Sequence, residues 1–153
     1  MLANFNQTVI QADGRFLNDA ELQELQTYAH SFSTRQAAYQ ILSQKGEALT
    51  ISALRQLAAN HRQEVQTHGA KCKRDMNHVL QEIAKSVLMG DPDVFREGFA
   101  LWMENITRAV HKNNSALQAY THLKAVVNQE MPATCAALVV PYLDELITAF
   151  SGT

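Results

Sequence analysis

The chain has 153 residues, of which 46% are hydrophobic and 18% are charged, and its formal net charge is −2 at pH 7. This length predicts one domain, and the apolar content excludes an intrinsically disordered chain. The near-neutral charge gives no positive field for nucleic acid, and no run of apolar residues is long enough for a transmembrane segment. Two cysteines are too few for a disulfide framework, so we expect a reducing, cytoplasmic setting.

Helical periodicity extends along almost the whole chain. Residues 1–17 are expected to contain a short separate helix, with Phe5, Val9 and Ile10 on its apolar side. Six longer helices then follow, with predicted limits near residues 19–43, 47–62, 68–89, 92–111, 115–129 and 132–151. Strict alternation, the signal of a strand, is not sustained. The pattern therefore predicts an all-α domain, and periodicity alone does not choose between a bundle and a globin-like box.

Cap signals support several of these limits. Asn18 followed by Glu21 is a capping-box pattern, in which each residue satisfies a backbone N–H of the other. Gly90 is expected to end one helix and Asp91-Pro92 to begin the next. Ser115 is expected to cap the helix that follows.

Two apolar faces are candidates for the core. The spacing of the first predicts a central buried helix, with Leu80 among its deepest residues. Its members are Met76, Val79, Leu80, Ile83, Ala84, Val87 and Leu88. The second is rich in aromatic residues and is also interpreted as core packing. It comprises Phe95, Phe99, Trp102 and Met103.

The strongest cluster of chemically active side chains is Lys71-Cys72-Lys73-Arg74-Asp75, at the predicted start of the helix that carries the first stripe. Cys72 and Asp75 are three residues apart and should share a face, whereas Arg74 is turned away. Basic neighbours and a helix N-terminus would stabilise a Cys72 thiolate. The alternative is structural: Cys72 is then a small core residue, and the charges belong to a solvated helix end.

Cys72-Lys73-Arg74-Asp75 resembles the Cys-x-Arg-Asp motif of phycobiliproteins, the bilin-carrying, globin-like subunits of cyanobacterial and red algal antennae. The segment from Ala12 to Leu17 resembles the one that joins their N-terminal extension to the first globin helix. The segment from Asp75 to Asp91 is similar to their chromophore-bearing helix. The resemblance implies a globin-like helical box, with residues 1–17 as an N-terminal helical extension and residues 18–153 as the phycobiliprotein domain.

The resemblance also implies roles for the matched residues. Cys72 would form a thioether to ring A of an open-chain tetrapyrrole of the phycocyanobilin type, although non-covalent binding is also open. Asp75 would accept hydrogen bonds from the central pyrrole N–H groups. Arg74 would pair with a propionate. Lys71 and Lys73 are further candidates for propionate binding, although no family motif matches them.

Three features depart from the family pattern. The stretch from residue 60 to residue 71 is short and polar, so the aromatic loop that covers the pigment looks deleted. His78 and Val79 occupy positions that are rich in tyrosine in the family. Gln81 stands where an Arg is expected to pair with Asp13 across a subunit interface. We therefore expect loose pigment packing, and a monomer or weak homodimer rather than a stable ring or the usual phycobiliprotein heterodimer.

By overall character the chain resembles the divergent branch of bilin-biosynthesis-associated globins. The implied function is bilin binding without enzymatic turnover, for light harvesting or bilin handling, in the cytoplasm or at the cytoplasmic face of the thylakoid membrane. One alternative is a pigment-free assembly or regulatory subunit of the phycobilisome type. Another is a haem-binding globin, with His111 as the proximal candidate. His61 and His68 lack a third ligand at zinc spacing, so no metal site is expected.

Overall fold

The computed structural model describes residues 2–109 and 113–152, and within these ranges it contains helices and no strand. The predicted all-α, globin-like class is confirmed. In chain order the elements are α1 (Leu2–Gln11), α2 (Asp19–His30), α3 (Phe32–Asn60), α4 (Arg62–Met89), α5 (Pro92–Val94), a π-helical turn (Phe95–Ala100), α6 (Leu101–Ala109), α7 (Asn113–Glu130) and α8 (Ala133–Ser151).

The core lies where α3 packs against α4 and α7, with α8 packed on α7. The predicted stripe of α4 is buried in it: Val79 and Ile83 are 0% exposed and Leu80 is 2% exposed. Burying one such aliphatic side chain contributes about 1.5–3 kcal/mol. The stripe therefore fixes α4 as the central helix, and the residues of α4 that flank it are held in defined positions.

Helix α8 is the one described helix that is long and apolar enough to cross a membrane by length and composition. Its side chains Val139, Leu143 and Leu146 are nevertheless 0% exposed in the protein core. Burial inside the fold accounts for this apolar face of α8.

Three predicted limits are wrong. The helix expected over residues 19–43 is interrupted at Ser31, whose N–H bonds to the end of α2 and whose side chain accepts a hydrogen bond from Arg35. The break expected between residues 43 and 47 does not occur, and Gly46 is buried there inside α3, beside Leu80 of α4. Helix α4 begins at Arg62, six residues before its predicted start, because its first turns are helical without an apolar stripe.

Most cap predictions are confirmed. Asn18 and Glu21 form both bonds of the capping box, each at 2.9 Å. Gly90 ends α4 in the left-handed conformation at φ 65°, and Asp91 caps α5. The Ser115 prediction is wrong, because α7 begins two residues earlier and the Ser115 hydroxyl donates to Glu64 of α4 instead.

A buried cation joins the ends of α2 and α4. Arg35 is 5% exposed, and its guanidinium donates to the backbone oxygens of Tyr28 and Leu88 and lies 4.3 Å from the centre of the Tyr28 ring. Both carbonyls belong to last helical turns, where the helix dipole is negative. A Cβ on Gly90 would lie 3.0 Å from the Tyr28 ring, so this corner requires glycine for space as well as for its positive φ.

The aromatic face is only partly buried, which corrects its interpretation. Phe95 is 1% exposed and Met103 7%, but Trp102 is 51% exposed. The π-helical turn is the physical reason, because it holds one more residue than an α-helical turn and rotates the following side chains. Trp102 consequently packs against Phe99 at the surface, with ring centroids 5.9 Å apart and the ring planes tilted by 40°.

Candidate functional site

A cavity of about 110 Å³ opens between α3, α4, α6 and α7. Its walls are mostly apolar, with Leu57 from α3, Met103 from α6 and Ala119 from α7 among the lining residues. Polar side chains reach it from α4, α6 and α7. An apolar concavity with a few convergent polar groups is the usual form of a small-molecule site.

Cys72 and Asp75 line this cavity together, as their spacing predicts. Both are half-buried, and the Cys72 Sγ lies 3.6 Å from the Met76 Sδ. The predicted helix N-terminus beside Cys72 is wrong, because α4 begins ten residues earlier, at Arg62. The helix dipole acts mainly within the first turn and therefore does not stabilise a thiolate here.

The basic residues of the cluster point in different directions. Lys71 lines the cavity. Lys73 pairs at 2.6 Å with Glu47 of α3, and this ion pair lowers the pKa of the Glu47 carboxyl. Arg74 is exposed and lies outside the cavity wall. Of the three, Lys71 alone lines the cavity with Cys72 and Asp75.

The polar stretch before Cys72 is a wall of the cavity rather than a cover. Residues 62–71 are helical, and Glu64, His68 and Lys71 line the site from α4. The sequence suggested that the loop covering the pigment is deleted. The segment that would form this loop extends α4 instead. The Glu64 carboxylate accepts a hydrogen bond from Ser115, which ties α4 to α7 beside the opening.

Tyr120 of α7 is a site residue that sequence analysis missed. Its side chain lines the cavity and is 3% exposed, and its hydroxyl has no hydrogen-bond partner among the residues that the structure describes. Burial raises its pKa well above the ordinary value, and negative charge on Cys72 or Asp75 raises it further. Helical spacing indicates a buried ring at this position but carries no sign that it lines the same cavity as Cys72 and Asp75.

In the described part of the chain, no group of three His, Cys, Asp or Glu side chains is arranged to hold a metal ion. His68 lines the cavity, whereas His61 does not. The haem candidate His111 lies outside the described residues.

Comparison with protein families gives a match to the family described as phycobilisome protein over residues 8–150. The matched range runs from α1 to the last turn of α8 and includes every residue of the cavity wall. Comparison with curated proteins finds no match.

Proposed function

Because the chain belongs to the phycobilisome protein family, we propose that it is a non-enzymatic protein that binds a bilin in the cavity beside α4. The family is one of pigment proteins that are generally without catalytic activity. One observation carries the proposal for this chain: a half-buried thiol and a carboxylate, Cys72 and Asp75, line the same cavity one helical turn apart.

The donor set suits a bilin. A bound bilin supplies the conjugated system that absorbs visible light. The Cys72 thiol would supply the attachment group: addition of its S–H across an exocyclic double bond of ring A would form the C–S bond, place the hydrogen on the neighbouring carbon and release nothing. The Asp75 carboxylate accepts hydrogen bonds from the pyrrole N–H groups, and such charge-assisted bonds favour an extended, protonated pigment.

The volume of the cavity limits how much pigment it shelters. Sites that enclose a drug-sized ligand measure roughly 300–1,000 Å³, whereas this one measures about 110 Å³. A tetrapyrrole at this position would therefore lie mostly outside the cavity, in contact with water. Pigment handling is favoured over light harvesting on this ground, and fluorescence of the loaded protein should be low.

The propionates of such a pigment also lie outside the cavity. Lys71, at the cavity wall, is the best-placed cation for one of them. Arg74 is exposed on a neighbouring face of α4 and is proposed to pair with the other at the surface. Lys73 is the weakest candidate, because its ammonium is already held by Glu47.

Assembly is proposed to involve the N-terminal extension. Residues 1–17 are taken as this extension and residues 18–153 as the globin-like domain. Ile10 is 66% exposed and Phe16 98% exposed, so an apolar surface is available to a second copy or to a phycobiliprotein-like partner. Gln81 carries no charge that could pair with Asp13 across a subunit interface, so we expect a monomer or weak homodimer. Phycobilisome proteins work at the thylakoid surface, which is the proposed location.

Co-expression with a bilin-producing system tests the function. The wild type should absorb visible light and give a zinc-enhanced fluorescent band on a denaturing gel. Cys72→Ala should lose the band, whereas the control Cys135→Ala, at a buried cysteine of α8, should keep it. Asp75→Asn should keep the band but shift and weaken the long-wavelength absorption. If the wild type takes up no pigment, or if all four proteins give identical spectra, a pigment-free assembly role or haem binding would be favoured over bilin binding.

A further inference from the structure

Three apolar side chains form a strip at the surface that begins at the cavity. Ile106 lines the cavity and is 43% exposed, so it belongs to both. Trp102 lies one helical turn before it on α6, is 51% exposed, and packs on Phe99 of the π-helical turn. We call Phe99, Trp102 and Ile106 the α6 strip. At 1.5 Å per residue, the strip extends the apolar wall by about 10 Å along the helix axis.

Helix α4 runs beside the α6 strip. Lys71 and Cys72 line the same cavity as Ile106. His78, further along α4, contacts Phe99, with ring centroids 5.0 Å apart. The two helices are therefore neighbours from one end of the strip to the other. A ligand that is attached at Cys72 and leaves the cavity on this side has α4 on one flank and the strip on the other.

The exposure of Trp102 is a feature that the fold alone does not require. Tryptophan is highly buried on average in folded proteins, whereas this indole is half exposed. The π-helical turn is what brings it to the surface, and such turns occur frequently at functional sites. An indole face at the edge of an apolar cavity is a surface on which a flat conjugated ring can stack.

We propose that Trp102 is a ligand-binding residue, and that the bilin rings that do not fit in the cavity lie along the α6 strip with one of them against the indole. The inference rests on the proposed bilin binding and adds the direction in which the pigment leaves the cavity. A cavity of about 110 Å³ leaves most of a tetrapyrrole outside. The strip continues the apolar wall through Ile106. In the other direction along α4 the wall carries polar Glu64 and His68, which suit apolar rings less well.

The test is a biliverdin titration, followed by absorption, of proteins that carry Cys72→Ala so that binding stays reversible. Adding Trp102→Ala should raise the Kd about five- to twentyfold, and Trp102→Phe, which keeps an aromatic ring, should recover most of the affinity. Leu101→Ala is the matched control and should leave the Kd unchanged. Leu101 is 56% exposed on the same helix, but it is turned about 100° from Trp102 and lies outside the cavity wall.

NMR spectra of the bound pigment separate contact from an indirect effect. Biliverdin methyl protons close to the indole should show an upfield ring-current shift that Trp102→Ala removes and Leu101→Ala keeps. A raised Kd without this shift overturns the inference, because Trp102 would then act without touching the pigment.

The remaining outcomes decide between the two proposals. Equal Kd values with and without Trp102→Ala overturn the inference and leave the proposed function standing. If Trp102→Ala instead removes self-association in sedimentation, the strip is a contact between copies of the chain, and the inference is again overturned. Attachment of pigment by the wild type without reversible binding to Cys72→Ala overturns the inference alone, because the strip then holds no pigment by itself. No uptake of biliverdin by the wild type overturns both proposals.

Discussion

Replacement of Arg35 by methionine should destabilise the protein substantially, although Met is apolar and similar in length. The substitution removes the charged donor from the backbone oxygens of Tyr28 and Leu88 and leaves the Ser31 hydroxyl without its Arg35 partner. Hydrogen bonds from a charged group are worth about 1.5–3 kcal/mol each. Release of a cation from a buried position offsets part of this loss. We expect a net cost of about 2–4 kcal/mol.

For a chain of this size, 1 kcal/mol corresponds to about 2–4 °C in Tm. Arg35→Met should therefore lower the Tm by about 4–16 °C, measured by circular dichroism, with urea unfolding as the second measure of the free energy. Arg55→Met, at an exposed arginine of the same helix, is the matched control and should change the free energy by less than about 0.5 kcal/mol. Arg35→Lys keeps the charge but not the planar fork, and should fall between the wild type and Arg35→Met. An Arg35→Met variant as stable as the control would refute the role given to this cation.

Leu80→Ala should cost about 2–5 kcal/mol by opening a cavity in the core, and a smaller loss in urea unfolding would contradict its central position. Gly46→Ala should stabilise by about 1 kcal/mol through helix propensity, since the new Cβ would lie 3.8 Å from Leu80 Cδ1, an ordinary contact distance; a lower Tm would show that the contact is too tight. Arg15 lowers the pKa of Glu21 from 4.5 to about 2, so its ion pair contributes fully above pH 4.5 and is lost as the pH falls through about 2. The stability difference between wild type and Glu21→Gln should accordingly shrink over that interval, and a difference independent of pH would speak against the pair.

Local sequence signals predicted the parts of the fold that depend on local chemistry. The Asn18–Glu21 capping box and the Gly90 stop depend on residues a few positions apart, and both are present. The break expected between residues 43 and 47 is absent, and Gly46, which lies in that interval, packs close to Leu80 of α4, a neighbour that the sequence does not reveal. The early start of α4 was missed because its first turns have no apolar stripe to reveal them.

In the candidate site, too, the residues that are close in sequence were predicted and those that depend on the tertiary fold were not. Cys72 and Asp75 could be placed together because three residues along one helix share a face, and the cavity contains both. Tyr120 could not be added, because it belongs to α7, which only the tertiary fold brings to this cavity. Glu64 is on α4 itself and was missed because the predicted helix began only at residue 68. The spacing of Arg74 already turned it away from Cys72, and it lies outside the cavity. A linear motif therefore identified the anchoring helix but not the opposite wall.

The π-helical turn at residues 95–100 determines the capacity of the cavity. The widened turn holds one residue more than an α-helical turn. When that extra residue is left out of the count, Met103 is seven helical positions after Phe95 and lies on the same side of the helix, whereas Trp102 is six positions after it and lies to one side. In a continuous α-helix of the same sequence, Trp102 would occupy the seventh position instead. An indole would then stand where the flexible thioether of Met103 now lines the site, and the cavity would be filled from within. One extra residue in the backbone thus leaves room for a ligand where the core would otherwise be filled.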